Sequence, residues 1–308
     1  MNCFFESEFY KQHASEPLVI VDGGARGELF PPLRGVKTPM NILAFDPDDH
    51  ASIISNEDAY ITIFKFNKGL WNNEVRIKVH IAKDPSTSSV YPPNIDLIKS
   101  FEDAYGIDVR STEYIIEVDG ITIDKAIEES DSGKPHFIKL DIHSAEYEAL
   151  EGAKKALKDS VMGVLVETWH QPIHEGQYLH ADVEKLLNEK GFYIFDQYPV
   201  GRWDFKKNKE TIISNKPCYV LSESLFFKYP NDFILKEEFL KFIGFLDVFG
   251  YTSLAMNLVR SNSLLNASEK KATNHTLSKL EQRRYNSRSA KKMRVKNKIR
   301  FILRKIGI

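Results

Sequence analysis

Acidic residues end two apolar segments near the N-terminus. Asp22 follows the run 18–21, and Asp46 follows the run 41–45. Apolar runs without alternation predict strands buried on both faces of a parallel sheet, whose carboxyl ends form a ligand-binding edge. The spacing of about 24 residues between the two acids is typical of a second-strand carboxylate that meets ribose hydroxyls. Glycines that let the backbone approach a ligand follow the first acid: Gly23, Gly24 and Gly27.

The acids around this glycine turn favour a ligand that carries positive charge. A dinucleotide site needs Gly-x-Gly-x-x-Gly and a helix N-terminus aimed at pyrophosphate, whereas Asp22 and Glu28 flank this turn. S-adenosylmethionine offers an amino group, a sulfonium and a ribose. We therefore predict that Asp22 and the glycines border its methionine part and that Asp46 accepts hydrogen bonds from its ribose. An ordinary tight turn, with Asp22 capping a helix, is the alternative.

A second pair of acids ends apolar segments in the middle of the chain. Asp141 and Glu167 are followed by His143 and His170 after two and three residues. Methyl transfer to a hydroxyl requires close positioning and loss of a proton, so these four residues are the candidate catalytic groups. They could form a base, or polarise a hydroxyl together with a divalent ion. No tight histidine spacing is present, so no metal site is predicted, and a structural role for each histidine stays open.

The segment from His136 to Leu157 resembles the hallmark block of the FkbM family of methyltransferases. It contains a strand ending Lys-Leu-Asp-Ile, a polar pair, Ala-Glu, and a helix ending Leu-Glu-Gly-Ala. The resemblance covers roughly residues 15–225 and includes segments 21–27, 45–48, 88–94 and 163–167. Two departures stand out. Asp46 stands where the family more often has Glu, and His143-Ser144 replace the commoner Glu/Gln-Gly.

The resemblance implies a class I, Rossmann-like, S-adenosylmethionine-dependent methyltransferase with an α/β fold and helices on both faces of a mostly parallel sheet. It implies O-methylation, often of sugar hydroxyls in glycans or glycosylated natural products. Trp169, Tyr178 and Trp203 could stack on an acceptor sugar or pack the core. Two other functions are kept as alternatives: a catalytically inactive, membrane-associated scaffold and a nucleic-acid methyltransferase that uses a basic tail.

Strand and helix signals alternate between Leu18 and about Lys228, which favours crossover connections in a parallel sheet. Strands are predicted at 18–22, 41–46, 60–66, 75–82, 114–118, 136–141, 161–167, 191–196 and 217–227. Helices are predicted at about 121–129, 145–157 and 181–190. The segment 61–82 alternates and is too short for a helix, so we predict a hairpin there.

The pattern divides the chain into four parts. They are a methyltransferase domain at 1–230, a helical extension at 231–262, a polar basic linker at 263–292 and a basic amphipathic helix at 293–308. The chain has 42 basic and 43 acidic residues, yet residues 269–308 contain 14 basic and 2 acidic ones. The tail is therefore at +12 and the rest at −13, a charge that makes nucleic acid an unfavourable partner.

The helix predicted at 293–308 suits an anionic membrane surface, and a partner helix, self-association or nonspecific nucleic-acid contact are the alternatives. Two cysteines, Cys3 and Cys218, are too few for a disulfide framework, and no signal segment precedes the first strand. We expect a cytoplasmic protein, peripheral at the inner face of the membrane if the tail binds lipid. The apolar run 242–259 raises the question of a membrane span, but its glycines and polar residues favour a packed or dimer-forming helical unit.

Overall fold

The structure is a computed structural model that describes residues 2–27, 29–47, 59–207, 216–229 and 235–287. The chain divides into two compact units. The sheet unit comprises residues 17–29 and 39–229, and the helical unit comprises residues 1–16, 30–38 and 230–308, each as far as described. The sequence prediction placed 1–16 and 30–38 with the sheet instead.

Ten strands are present in the described residues. They are β1 Leu18–Gly23, β2 Met40–Phe45, β3 Ile61–Phe66, β4 Gly69–Leu70, β5 Arg76–Ala82, β6 Thr112–Ile121, β7 Phe137–Leu140, β8 Gly163–Trp169, β9 Phe192–Trp203 and β10 Cys218–Lys228. Seven form one sheet in the order β3-β2-β1-β7-β8-β10-β9, and β4-β6-β5 form a second. In the large sheet the neighbouring strands β3, β2, β1, β7 and β8 run parallel, while β10 is antiparallel to both β8 and β9. This is the predicted mostly parallel, Rossmann-like sheet.

Ten α-helices accompany these strands within the described chain. They are α1 Glu8–His13, α2 Ile95–Ile98, α3 Ile107–Arg110, α4 Ile123–Ser130, α5 Glu146–Glu151, α6 Lys154–Asp159, α7 His180–Glu189, α8 Lys236–Val248, α9 Thr252–Ser261 and α10 Ala267–Asn286. Short 3₁₀ helices lie at Phe4–Glu6 and Pro85–Thr87. Helix α4 begins where the Thr122 hydroxyl accepts from the Lys125 N–H, a typical N-cap.

The core of the sheet unit lies between the large sheet and its helices. All six residues of β1 and all seven of β8 are buried, as expected for central strands covered on both faces. Side chains of β1, β7 and β8 pack against α4, α5, α6 and α7; the cluster includes Val21, Ile138, Val164, Ala149 and Leu187.

Two sequence predictions for the sheet unit were wrong in detail. The segment 61–82 is not a hairpin, because β3 joins β2 in the large sheet whereas β5 pairs antiparallel with β6. The helix predicted at 145–157 is two helices, α5 and α6, which meet at Gly152-Ala153. A Cβ at Gly152 would lie 2.4 Å from the Trp71 carbonyl oxygen, so close backbone approach requires glycine there.

The helical unit is organised around the fully buried carboxylate of Asp247 on α8. Arg284 on α10 donates to both of its oxygens at 2.7 and 2.8 Å, and the Thr252 hydroxyl and the Phe4 N–H donate as well. Thr273, Leu277 and Leu280 of α10 are buried. Most of the predicted linker 263–292 is therefore a packed helix, which its sparse apolar residues did not reveal.

Two further expectations concern the membrane. The amphipathic helix predicted at 293–308 lies outside the described residues. Among the helices of the described residues, none combines the length and the apolar character that crossing a membrane requires.

Candidate functional site

A strained turn follows β7 and holds two of the predicted catalytic residues. His143 has φ 54° and Ser144 has φ 87°, left-handed values that residues with side chains rarely adopt. Glu146, at the start of α5, fixes this turn because its carboxylate accepts the N–H groups of Ile142 and Ser144, both at 2.9 Å. At φ 87°, Ser144 has a conformation that glycine adopts more readily than any residue with a side chain.

Neighbouring loops hold the same turn from outside. The Ser89 hydroxyl donates to the His143 carbonyl oxygen at 2.6 Å. The Ser144 hydroxyl is 2.8 Å from Nδ1 of the buried His174. The backbone N–H of His174 donates to the side-chain oxygen of Gln177. These contacts offset the strain of the left-handed residues, and preorganised strain of this kind is characteristic of functional sites.

Three of the four predicted catalytic residues come together. Ligand atoms of Asp141, His143 and Glu167 all lie within 4.8 Å of one another. Nδ1 of His143 is 3.9 Å from Oδ1 of Asp141, whose side chain is 43% exposed. Glu167 is 6% exposed, and its Oε2 has no hydrogen-bond partner in the described part of the chain. The parallel strands β7 and β8 bring their carboxyl ends together at this edge.

Burial dominates the protonation of this cluster. It raises the pKa of Glu167 well above its usual range, and the charges of Asp141 and Glu146 act in the same direction. Burial, helped by Arg110, lowers the pKa of His143 to about 4, although Asp141 opposes the change. His143 is therefore a neutral imidazole near pH 7 and can accept a hydrogen bond or a proton.

His170 lies apart from the cluster. Successive side chains of a strand point to opposite faces, so Thr168 and His170 share a face that Glu167 and Trp169 do not. Nε2 of His170 is 2.9 Å from the Ser222 hydroxyl, and its ring stacks on Tyr219. The sequence prediction grouped His170 with Glu167 because the two are three residues apart. His170 directly follows β8, and the alternation of side chains along that strand puts the two residues on opposite faces.

Asp22 lies near the carboxyl end of β1. Its carboxylate is 2% exposed and pairs with Lys139 of the neighbouring β7 at 3.1 Å. Nζ of Lys139 also donates to the carbonyl oxygens of Gly23 and Gly24 at 3.2 and 3.3 Å. Burial alone would lower the pKa of Lys139, but Asp22 and Asp141 together raise it, so the charge is kept. In this structure Asp22 joins β1 to β7.

The glycines of the turn differ in their surroundings. A Cβ at Gly24, where φ is +75°, would lie 2.0 Å from the Asp141 carbonyl oxygen, so this glycine is required for packing. At Gly27, where φ is +81°, the same position has no atom of the described residues within 4 Å. Gly23 and Gly24, by contrast, pack against the end of β7.

Asp46 ends β2 and is 3% exposed, the position expected of a ribose acceptor. Its two oxygens accept from Nε of Arg26 at 2.7 Å and from Nη2 at 3.3 Å. The Arg26 side chain is 46% exposed, so it has room to turn away. In this structure the partner of the Asp46 carboxylate is Arg26, and the contact with ribose stays a prediction.

The aromatic residues proposed for sugar stacking separate into two groups. Trp169 and Trp203 are buried in a core cluster with Phe101. Tyr178 is 41% exposed and stacks on Tyr147 with ring centroids 3.8 Å apart. Tyr147 lies on α5, directly after the strained turn. Of the three aromatics, only Tyr178 presents a ring to solvent.

The sequence did not identify Arg110, which ends the short helix α3 and is buried. Its guanidinium lies 5.3 Å from the ring centroid of Trp169 and 4.7 Å from that of Trp203, and Nε donates to the Tyr105 carbonyl oxygen. Burial lowers its pKa to about 10, against the opposing effect of Glu167. No local motif marks this residue, because tertiary packing alone brings α3 to the site.

A comparison with protein families agrees with the resemblance found in the sequence. The Methyltransferase FkbM domain family matches residues 41–194. The crystal structure of methyltransferase FkbM from Methylobacillus flagellatus KT is similar to 70% of this chain and 44% of that chain, with 16% identity and a TM-score of 0.36. The match thus spans less than half the length of that protein. A search of curated proteins gave no significant match.

Proposed function

Because the chain belongs to the FkbM methyltransferase family, we propose that it transfers the methyl group of S-adenosylmethionine to a hydroxyl of a sugar, in a glycan or a glycosylated natural product. The observation that carries this proposal is the Asp141–His143–Glu167 cluster at the carboxyl edge of the sheet, beside the glycine turn. Ligands of open α/β sheets bind at that edge. The donor supplies an electrophilic methyl group bonded to a positively charged sulfur.

The donor is held by residues at the ends of β1 and β2. Asp46 accepts the ribose hydroxyls in place of Arg26, and the backbone at Gly27 borders the methionine part together with Gly23 and Gly24. Asp22 contributes indirectly, because its ion pair holds Lys139, which donates to the glycine carbonyl oxygens. Although it is paired with Lys139, the negative charge of Asp22 favours a cationic ligand at the glycine turn.

The acceptor hydroxyl binds at the ends of β7 and β8, where the chain can hold and remove its proton. The neutral imidazole of His143 and the carboxylate of Asp141, 3.9 Å apart, form a pair that accepts that proton. Glu146 holds the backbone that carries this pair, because its carboxylate accepts the Ile142 and Ser144 N–H groups. Positioning by this rigid turn supplies much of the rate enhancement.

A sugar acceptor agrees with the polar and aromatic rim of the site. The exposed ring of Tyr178, stacked on Tyr147, offers a face for a pyranose. Carboxylates and imidazoles offer acceptors for several hydroxyl groups at once. These features support a polyhydroxylated acceptor over an apolar one.

The scaffold alternative remains relevant because Arg26 already pairs with the carboxylate expected to meet ribose. A scaffold of this kind would keep the pair closed and bind no donor. Calorimetric titration with S-adenosylmethionine separates the two functions. We expect saturable binding by the enzyme, and no heat of binding from a folded protein would support the scaffold instead.

The decisive experiment is a transfer assay with radiolabelled donor on free, lipid-linked and natural-product glycosides, using Asp141→Asn as the matched control. Label in the glycoside that depends on Asp141 supports the function. Donor binding without transfer to any hydroxyl compound would reject the proposed acceptor class.

A membrane role for residues 293–308 remains a proposal that rests on their basic and apolar pattern. We expect the full chain to co-sediment with anionic but not neutral vesicles, less so at high salt, and the chain lacking 293–308 to stay in solution. Equal sedimentation of both chains would reject it.

A further inference from the structure

The cluster of Asp141, His143 and Glu167 has a composition that goes beyond proton transfer. It presents one imidazole nitrogen and two carboxylates, and one ligand atom from each lies within 4.8 Å of the others. Metal bonds to nitrogen and oxygen ligands are about 2.0–2.2 Å long, so neighbouring ligand atoms of one ion are about 3–3.5 Å apart. The present spacing is wider, so binding requires the side chains to approach one another, and the partly exposed Asp141 is the member with room to turn.

Glu167 supplies an independent sign that something is bound here. The residue is 6% exposed, and Oε2 is buried without a hydrogen-bond partner among the described residues. Leaving a buried carboxylate oxygen unpaired costs about 1–3 kcal/mol, so such an atom calls for a ligand. The nearby cation Arg110 is directed against the rings of Trp169 and Trp203 instead.

The surroundings hold the other two groups in position for a cation. Ser89 and Glu146 hold the backbone of the left-handed turn that carries His143. Nζ of Lys139, 4.0 Å from Oδ2 of Asp141, is already paired with Asp22 at 3.1 Å. Lys139 is therefore balanced by Asp22, whereas Nη1 of the buried Arg110 has no hydrogen-bond partner among the described residues.

We infer that Asp141, His143 and Glu167 form a binding site for a divalent transition-metal cation, with Mn²⁺ as the best match to two carboxylates and one imidazole. Three protein ligands leave coordination positions free, the arrangement of catalytic rather than structural metal sites. The site is independent of donor binding and needs no acceptor to form.

A cation there would deepen the proposed reaction, and only this consequence rests on the proposed function. A hydroxyl bound to the cation loses its proton more readily because the metal stabilises the alkoxide. The proton passes to the Asp141 oxygen that does not face the cation. His143 then acts as a ligand, and Asp141 alone keeps the role of base.

The test is a titration of the full chain with MnCl₂ alone, followed by the electron paramagnetic resonance signal of free Mn²⁺, with no donor or acceptor present. We expect one saturable site. Glu167→Gln and His143→Ala should each weaken binding by at least about 10²-fold, more than the 10–100-fold cost of losing a second-shell partner.

Two variants serve as matched controls. Glu223 faces Glu167 across β10 and β8 but lies outside the cluster, and His170 lies on the opposite face of β8. Glu223→Gln and His170→Ala should bind Mn²⁺ within about threefold of the wild type, a difference below 1 kcal/mol.

Binding weaker than about 1 mM in the wild type, or equal binding by wild type, Glu167→Gln and His143→Ala, would overturn the site. His143→Ala, at a side chain that is 22% exposed, gives the answer if Glu167→Gln does not fold. A donor that binds normally while Mn²⁺ does not would reject the metal site and leave the proposed methyl transfer standing.

Discussion

The two pairs of acids at the edge of the large sheet differ in how their charges are balanced. Asp22 and Asp46, at the ends of β1 and β2, form ion pairs with Lys139 at 3.1 Å and Arg26 at 2.7 Å. At the end of β8, Oε2 of Glu167 has neither a hydrogen bond nor an ion pair within the described chain, and burial raises the pKa of this residue. The difference teaches that buried acids at the same sheet edge are balanced in two ways, by a basic partner at Asp22 and Asp46 and by retention of the proton at Glu167.

The largest effect is expected on turnover at the second pair. Asp141→Asn and His143→Ala should each lower the turnover number by about 10²- to 10⁴-fold, because each removes part of the arrangement that takes the proton from the acceptor hydroxyl. The dissociation constant of S-adenosylmethionine should stay close to that of the wild type, measured by calorimetry.

His170→Ala is the control for these two variants, since its ring is bonded to Ser222 on the other face of β8. Wild-type turnover in the folded Asp141→Asn and His143→Ala proteins would contradict a catalytic role for this edge.

A large effect on stability is expected at the first pair. Lys139→Met removes the counterion of Asp22, which is 2% exposed, and should lower the free energy of unfolding by about 3 kcal/mol. Chemical denaturation measures this loss. Adding Asp22→Asn should recover part of it, because the two effects are coupled through one ion pair.

Lys154→Met, at an exposed position of α6, is the matched control and should change the unfolding free energy by less than about 0.5 kcal/mol. Equal stability of Lys139→Met and Lys154→Met would show that Asp22 does not depend on its partner.

The sequence predicted the large sheet well because its strands are long apolar runs with acids at their ends. The carboxyl-edge rule then placed Asp141 and Glu167 together without any structural information. It could not give the partners of these acids, since Lys139 reads as an ordinary strand residue and Arg110 reaches the site only through packing of a four-residue helix.

The helical unit was predicted less well for a different reason. Helix α10 is polar over most of its length, and its packing depends on Leu277, Leu280 and the Arg284–Asp247 ion pair. An ion pair between a half-exposed arginine and a buried aspartate 37 positions apart leaves no periodic signal in the sequence. Apolar periodicity therefore misread a packed helix as a linker.

A smaller effect is expected on donor binding at Asp46. Asp46→Ala should weaken S-adenosylmethionine binding by about 1.5–3 kcal/mol, roughly 10- to 150-fold in the dissociation constant, because a charged acceptor for the ribose is lost. Calorimetric titration of the folded variant provides the measurement.

Arg26→Ala sharpens the interpretation, since it removes the group that the ribose must displace. Donor affinity should stay equal to the wild type or increase. If Arg26→Ala weakens binding as much as Asp46→Ala does, the ion pair itself is part of the binding site and the exchange does not occur.

The smallest effect is expected from Glu167→Gln on stability. The pKa of Glu167 is raised in the folded protein, so the folded state holds its proton more tightly than the unfolded state. This contribution is complete below the unfolded value of about 4.5 and is lost as the pH rises through the folded pKa. Near neutral pH, Glu167→Gln should therefore be as stable as the wild type or slightly more so. Lys139→Met should not.

The measurement is the free energy of unfolding of the wild type and of Glu167→Gln, each recorded between pH 5 and pH 8 in the presence of a chelator. The free energy of unfolding of the wild type, minus that of Glu167→Gln, should fall as the pH rises, with a slope of at most about one proton. Subtraction cancels the shifted groups that lie far from Glu167, whereas Glu146, with its pKa raised by burial to about 8, interacts with Glu167 and contributes to the difference. A difference that rises with pH would mean that the ionised Glu167 has a stabilising partner, and the contrast between the two pairs of acids would then be lost.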